Sequence, residues 1–205
     1  MPDAEVELLP IVQCGHPILR RPAEPVDPAH LGRAEFRTLI REMRATMEAA
    51  PGVGLAAPQI GLPIQLAVLQ DDPDRWGPVP EEERTVRERH ALPFTVLVNP
   101  VWEPVEPDQV GFYEGCLSVP GLTGLVVRHR VVRVRALDEA GGPVDRVFTG
   151  WPARIVQHEV DHLQGRLYLD RVETRSLSTT ENYSTLWAGR PPQEIAAELG
   201  FHVDC

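Results

Sequence analysis

The sequence predicts an α+β fold: antiparallel or mixed β-sheets packed around one central helix, with an N-terminal amphipathic helix and a short C-terminal helix. Three observations carry that prediction. Trp151 to Gly165 reads as a helix, with Pro152 suited to its first turn and Gly165 to a left-handed end. Phe36, Leu39, Ile40, Met43 and Met47 recur at helical spacing, with Arg and Glu on the other face. Between 63 and 148, short apolar or alternating segments read as strands.

Taken in order, the chain opens with a proline-rich segment over 1–27, in which Leu8 to Val12 is an extended apolar run packed on the body. His16 reads as structural, and Cys14 as a small buried or half-buried residue without ligand-like neighbours. Asp27-Pro28 starts an amphipathic helix over 28–50, which Pro51-Gly52 stops. In Gly52 to Gly61 the glycines permit strained backbone and close approach by a ligand, and the alanines leave room. This is no phosphate loop, because the spacing differs from G-x-G-x-x-G and no G-K-[ST] follows. Its plain structural reading is a tight turn feeding a strand from Pro63 to Gln70, with Gln59 as a candidate hydrogen-bond donor.

Residues 71–93, acidic and carrying four prolines, read as an exposed, mobile insertion between strands. Strands resume at 94–98 and 110–113, then as one half-buried strand from Leu125 to Leu137. A turn at 138–142 leads to a partner strand at 144–148. After the central helix come a short strand at Leu167 to Leu169, a polar stretch from 174 to 186, and a helix from Pro192 to Leu199 stopped by Gly200. Without repeats or a dividing linker, residues 1–205 read as one domain, with 71–93 an insertion and 176–205 a C-terminal extension.

The net charge of −10, from 20 basic and 30 acidic residues, argues against DNA or anionic-membrane binding. No apolar run approaches a membrane span, and Met1 to Glu5 is acidic with no apolar signal region. Cysteines at 14, 116 and 205 do not form a disulfide framework, which fits a reducing cytoplasm and leaves Cys116 free as a ligand.

The helix carries His158-Glu159-x-x-His162. Side chains four apart project from one helical face, so both imidazoles reach one metal ion, and Glu159 stands at the edge of that face. A catalytic site needs a third protein ligand and one open position. The slot six residues after His162 is Tyr168, which excludes a third histidine there. Glu181 downstream and Cys116 upstream remain as candidates.

Three stretches make the resemblance specific: Gly52-x-Gly54-x-Ala56-Ala57-x-Gln59-x-Gly61, Glu114-Gly115-Cys116-Leu117-Ser118, and Gln157-His158-Glu159-x-Asp161-His162-Leu163-x-Gly165. Together, and in this order, they resemble the signature motifs of the peptide deformylase family over about residues 10–175. The insertion and the lead-in from Thr149 to Arg154 look closer to its mitochondrial and plant type. The resemblance implies Cys116, His158 and His162 as ligands of one divalent metal ion per chain, with ferrous iron expected and zinc, nickel or cobalt as substitutes. It implies hydrolysis of the formyl group from formyl-methionyl nascent peptides, with release of formate. Glu159 would move the proton, and Gln59 and the Leu117 N–H would stabilise the oxyanion. Val53, Gly54, Phe112, Glu114, Gly115, Trp151 and Ile155 would bind substrate. Gly54 would pair with the peptide by strand addition, and Trp151, Ile155 and Phe112 would line the methionine pocket. Arg128 or Arg154 would pair with Glu114 to brace the Cys116 loop.

A monomer or homodimer working near the ribosome exit region, without DNA or membrane partners, completes the expectation. Two departures stand out: Gly121-Leu122-Thr123 where some bacterial relatives carry an Arg, and His16 where relatives often have Asp. The rival readings are a metallopeptidase with Glu181 as third ligand, and a non-catalytic metal- or ribosome-binding module.

Overall fold

The computed structural model describes residues 6–77 and 79–203. The acidic start at Met1 to Glu5 and Cys205 lie outside them. In chain order the elements are α1 (Ala34–Ala49), β1 (Gly54–Ala56), β2 (Leu66–Asp71), α2 (Glu81–Val86), β3 (Leu92–Pro104), β4 (Gln109–Cys116), β5 (Val119–His129), β6 (Val131–Leu137), β7 (Pro143–Thr149) and α3 (Gly150–Leu163). There follow β8 (Ser178–Thr179), α4 (Thr180–Asn182), which runs into one π-helical turn at Tyr183–Trp187, and α5 (Pro192–Leu199). One sheet has the order β1-β2-β3-β6-β7 and the other β4-β5-β8, and every strand pairing is antiparallel. The fold is thus mixed α+β with antiparallel sheets. No helix among the described residues is long and apolar enough to cross a membrane.

α3 lies between the two sheets. Every residue of it except Trp151 and His158 is buried. Ala153, Val156 and Val160 pack with Leu97, Val132 and Phe148 of the larger sheet. Each of those valines contributes about 1.5–3 kcal/mol on full burial. The opposite face carries Arg154, His158, Asp161 and His162 towards the β4–β5 hairpin, which Arg154 and Asp161 meet through hydrogen bonds. On the other side of the larger sheet, Met43 and Met47 of α1 join Leu55, Leu66, Val68 and Val98 in a second core. α5 spans the expected Pro192–Leu199 and places Ile195 beside Tyr113 and Leu125.

Several expectations need correction. The strand expected over 125–137 is two strands in different sheets, broken at Arg130. Apolar alternation continues through the break, so periodicity does not reveal it. The His129 backbone, at the end of β5 opposite Gln109, is held by the Gln157 side chain, which donates Nε2 to His129 O (2.8 Å) and accepts from His129 N (3.1 Å). Leu167 to Leu169 is not a strand but leads into a 3-10 turn at Tyr168–Asp170, closed by Leu167 N donating to Asp170 Oδ2. Asp27 caps only a short turn at Pro28–His30, and α1 begins at Ala34 beyond the left-handed Gly32.

Cys14 is exposed rather than buried. His16 is structural, capping the turn at Pro17–Arg20. The 71–93 insertion is tied to the end of β2: buried Asp71 accepts from Arg89 Nε and Nη2 (both 2.8 Å) and from Trp76 Nε1 (2.7 Å). An unpaired carboxylate at that depth would be costly, and the two donors anchor the insertion instead.

Candidate active site

α3 turns two imidazoles towards the hairpin, their rings edge-on with centroids 5.0 Å apart. Cys116 ends β4, where the pairing with β5 slips register and folds the chain back so that Cys116 opposes Val119. Its Sγ lies 3.3 Å from His162 Nε2, and one ligand atom from each of Cys116, His158 and His162 lies within 4.8 Å of the others. Metal–sulfur and metal–nitrogen bonds of about 2.3 and 2.1 Å at a tetrahedral angle put their ends about 3.6 Å apart, so one ion fits between these donors. An N/N/S set suits a divalent transition metal. Among the described residues this is the one such cluster, and Glu181 stands exposed on α4 outside it.

The outer nitrogen of each histidine differs. His158 Nδ1 is 2.9 Å from Glu114 Oε2, which leaves its Nε2 free for a metal. His162 Nδ1 is buried without a hydrogen-bond partner. Glu114 is the hub of a charged chain through the interior. Its Oε1 accepts from Arg128 Nε and Arg154 Nη1 (both 2.6 Å), and its Oε2 from Arg128 Nη2 (2.9 Å). Arg128 Nη1 continues to Asp161 Oδ2 (2.8 Å), which also takes Arg171. Burial alone would raise the Glu114 carboxyl, but Arg128, His158 and Arg154 outweigh it and hold it well below the usual range. Both arginines proposed as braces therefore bind Glu114.

Glu159 is 4 % exposed, and its Oε2 has no partner. Burial pushes its carboxyl up to about 7, against the opposing pull of His158 and Arg128. Gly54 of β1 makes this placement possible: a Cβ there would stand 2.6 Å from Glu159 Cδ. No other residue leaves space for the carboxylate. Gln59 sits in a 3-10 turn at Ala57–Ile60, which the left-handed Gly61 ends. Its Oε1 accepts from Ala56 N (2.8 Å), which aims Nε2 at Ser118 Oγ (3.3 Å) and Cys116 Sγ (3.6 Å).

These groups face a cavity of about 640 Å³. Gln59, Leu117, Cys116, His158 and Glu159 line it. So do Val53, Gly54, Glu114, Gly115, Trp151 and Ile155, as the sequence reading expects of the substrate site. Phe112 does not line it: the ring stands behind Trp151, edge-on at 6.5 Å. His162 is likewise behind the wall, 1 % exposed. The departure at Gly121-Leu122-Thr123 leaves an apolar rim, where Leu122 is exposed and Thr123 Oγ1 donates to Glu114 O.

Sequence reasoning did not find Arg87 from the insertion or Tyr183 from the C-terminal segment, which line the same cavity. No local pattern marks either. Asp161 enters the sequence reading only within the third motif, although an acidic residue on the buried face of α3 is itself a signal of a charged partner.

A family model described as polypeptide deformylase matches residues 8–177. The chain belongs to that family. Relatives of this deformylase include peptide deformylase 1 of Streptomyces coelicolor, 52% identical over 195 residues, covering 95% of this chain and 87% of that protein. Peptide deformylase 1A, chloroplastic/mitochondrial, of Arabidopsis thaliana is 41% identical over 178 residues, covering 87% of this chain and 66% of that protein. Among solved structures, the Met-Ala-Ser-bound class I type b peptide deformylase from Acinetobacter baumannii aligns with TM-score 0.71 at 36% identity, over 82% of this deformylase and all of that chain (100%). With relatives of this identity along most of its length, the protein is an enzyme of the deformylase class.

Proposed function

We propose that this deformylase removes the N-terminal formyl group of formyl-methionyl peptides: water adds to the formyl carbon, the C–N bond breaks, and formate and a free amine leave. The observation that carries the reading is the buried Glu159 carboxylate in the cavity that Cys116 and His158 also line, with His162 behind its wall completing the trio of donors. A divalent ion held by those three residues would act as a Lewis acid and make water a nucleophile near neutral pH. Ferrous iron is the family's expected metal, with zinc, nickel or cobalt as substitutes.

Glu159, poised near neutrality, takes a proton from water and returns it to the leaving amine. Gln59 Nε2 and the Leu117 N–H donate to the oxygen where charge develops. β1 is an edge strand, so the outer backbone groups at Gly54 are open to pairing with an extended peptide. Trp151 and Ile155 receive the first side chain, with Phe112 backing Trp151. Val53, Glu114 and Gly115 complete the peptide's surroundings. Glu159 pressed against Gly54 leaves little space at the reacting carbon, which favours formyl over acetyl.

Residues 1–205 act as one unit in this reading, with 71–93 and 176–205 as additions to it. The substrates are nascent chains in the cytoplasm near the ribosome exit, met by a monomer or homodimer. The insertion and the Thr149–Arg154 lead-in support kinship with the plant and mitochondrial type, against which stands the higher identity to the Streptomyces protein (52%) than to the Arabidopsis one (41%). The metallopeptidase alternative loses its support, because Glu181 is exposed outside the cluster. The test is formate release from formyl-Met-Ala-Ser by reduced, metal-loaded protein. Full metal content without formate release would refute the proposal.

A further inference from the structure

We infer that Arg87 is a specificity-determining residue: carried in by the insertion, it extends the wall of the first-side-chain pocket and sets how long a side chain fits. The inference rests on the deformylase reading and deepens it. Arg87 follows directly on α2, and its two following neighbours are fixed. Glu88 binds Arg130 through two bonds (2.7 and 2.5 Å), and Arg89 is locked on buried Asp71. Glu88 O also accepts from Trp151 N at the start of α3 (3.4 Å). Gly150 has φ +62°, and a Cβ there would stand 2.7 Å from Glu88 O, so only glycine lets the insertion seat this closely. The consequence is that Arg87 is delivered into the cavity by a braced segment.

There the guanidinium lies over the Trp151 ring at 4.9 Å and the Phe112 ring at 5.8 Å. Nη2 donates to Tyr183 OH (2.8 Å) and pairs with Glu83 (2.8 Å). Tyr183 in turn packs against Tyr113, ring centroids 4.7 Å apart. The insertion and the C-terminal segment thus meet through one hydrogen bond, and both partners line the cavity that holds Trp151 and Ile155. With Glu83 balancing its charge and its guanidinium carbon over two rings, Arg87 acts as a wall and not as an anion site. The wall that Trp151 begins on α3 is therefore finished by a residue outside the helix that bears the histidines.

The experiment measures kcat/KM for formyl peptides whose first side chain is n-butyl, n-pentyl or n-hexyl, with metal content and Tm recorded for each variant. For the wild type, the rate constant falls along this series. Arg87→Ala opens the wall and improves hexyl relative to butyl by about tenfold, the discrimination that one or two methylenes carry. Tyr183→Phe keeps the ring but removes the bond, and shifts the ratio in the same direction by less. Arg87→Met keeps a stem over the rings and holds the wild-type profile. A merely structural role would lower all three substrates in parallel, and an unchanged hexyl-to-butyl ratio in both Arg87→Ala and Tyr183→Phe overturns the inference. If Arg87→Ala fails to fold, Tyr183→Phe alone decides. A fully metallated wild type inactive on every peptide sinks the deformylase reading, and this one with it.

Discussion

Replacing Glu114 by Gln tests whether the interior charge chain holds the site. The carboxylate is buried and accepts four hydrogen bonds, two on each oxygen. A Gln side chain has one acceptor oxygen and one NH2 group. Whichever way the amide turns, the NH2 meets two donors: Arg128 with Arg154 on one side, Arg128 with His158 on the other. Each unsatisfied buried donor costs about 1–3 kcal/mol. Arg128 keeps Asp161 either way; with the NH2 on the first side Arg154 is left with only the carbonyls of Val126 and Val110, and with it on the second His158 loses its acceptor.

Breaking a buried pair by removing one charge costs about 3–5 kcal/mol, which agrees with the donor count. For a chain of this size, about 3 kcal/mol corresponds to a fall of about 6–12 °C in Tm. Where the NH2 faces His158, the ring loses its fixed orientation and metal affinity should fall about 10–100-fold. Thermal unfolding of the metal-free protein and chelator competition on the metallated one measure the two effects separately. A variant within about 1 kcal/mol of wild type and equal to it in metal affinity would show that Glu114 neither braces the hairpin nor orients His158.

Gly54→Ala should cost about 1–3 kcal/mol of stability through overpacking and displace Glu159, lowering kcat by about 10²-fold or more while metal content stays full; kcat and elemental analysis on one sample check both. Glu159→Gln should abolish formate release yet stabilise the metal-free protein at pH 8. The folded carboxyl sits at about 7 against 4.5 unfolded, so ionisation disfavours the native state as pH rises through that window. The gain at pH 8 is of the order of 3 kcal/mol, absent below pH 4.5, and urea unfolding at pH 4.5 and 8 reveals it. Cys116→Ser should lose bound metal while Glu181→Gln retains it; the opposite pattern in elemental analysis would return the third ligand to Glu181.

Local pattern made much of the site legible before any coordinates. Two histidines four apart share a face because the helix repeat demands it, and α3 presents His158 and His162 on one side. α5 was legible to the residue, since Gly200 stops it at a left-handed φ of 73°. Cys116 stood beside Glu181 as a candidate third ligand, and resemblance alone decided between them, because nothing local says that residues 116 and 158 meet.

What the sequence by itself determined is the set of elements whose cause is short-range: the helix carrying His158 and His162, the α1 stripe, the alternating strands, and Gly61 where the backbone turns left-handed. The tertiary structure alone decided where the 125–137 run breaks between sheets, because the break depends on Gln157 supplying the His129 backbone with partners from another element. It alone decided that both Arg128 and Arg154 bind Glu114, where the resemblance offered one or the other, and that Asp161 joins them through Arg128, across separations of 14 to 40 residues between directly bonded partners. It also brought Arg87 against Tyr183, 96 residues away. Burial makes such partners necessary, since a buried charge must be paired, but which partner arrives is settled by packing and leaves no periodic trace in the chain.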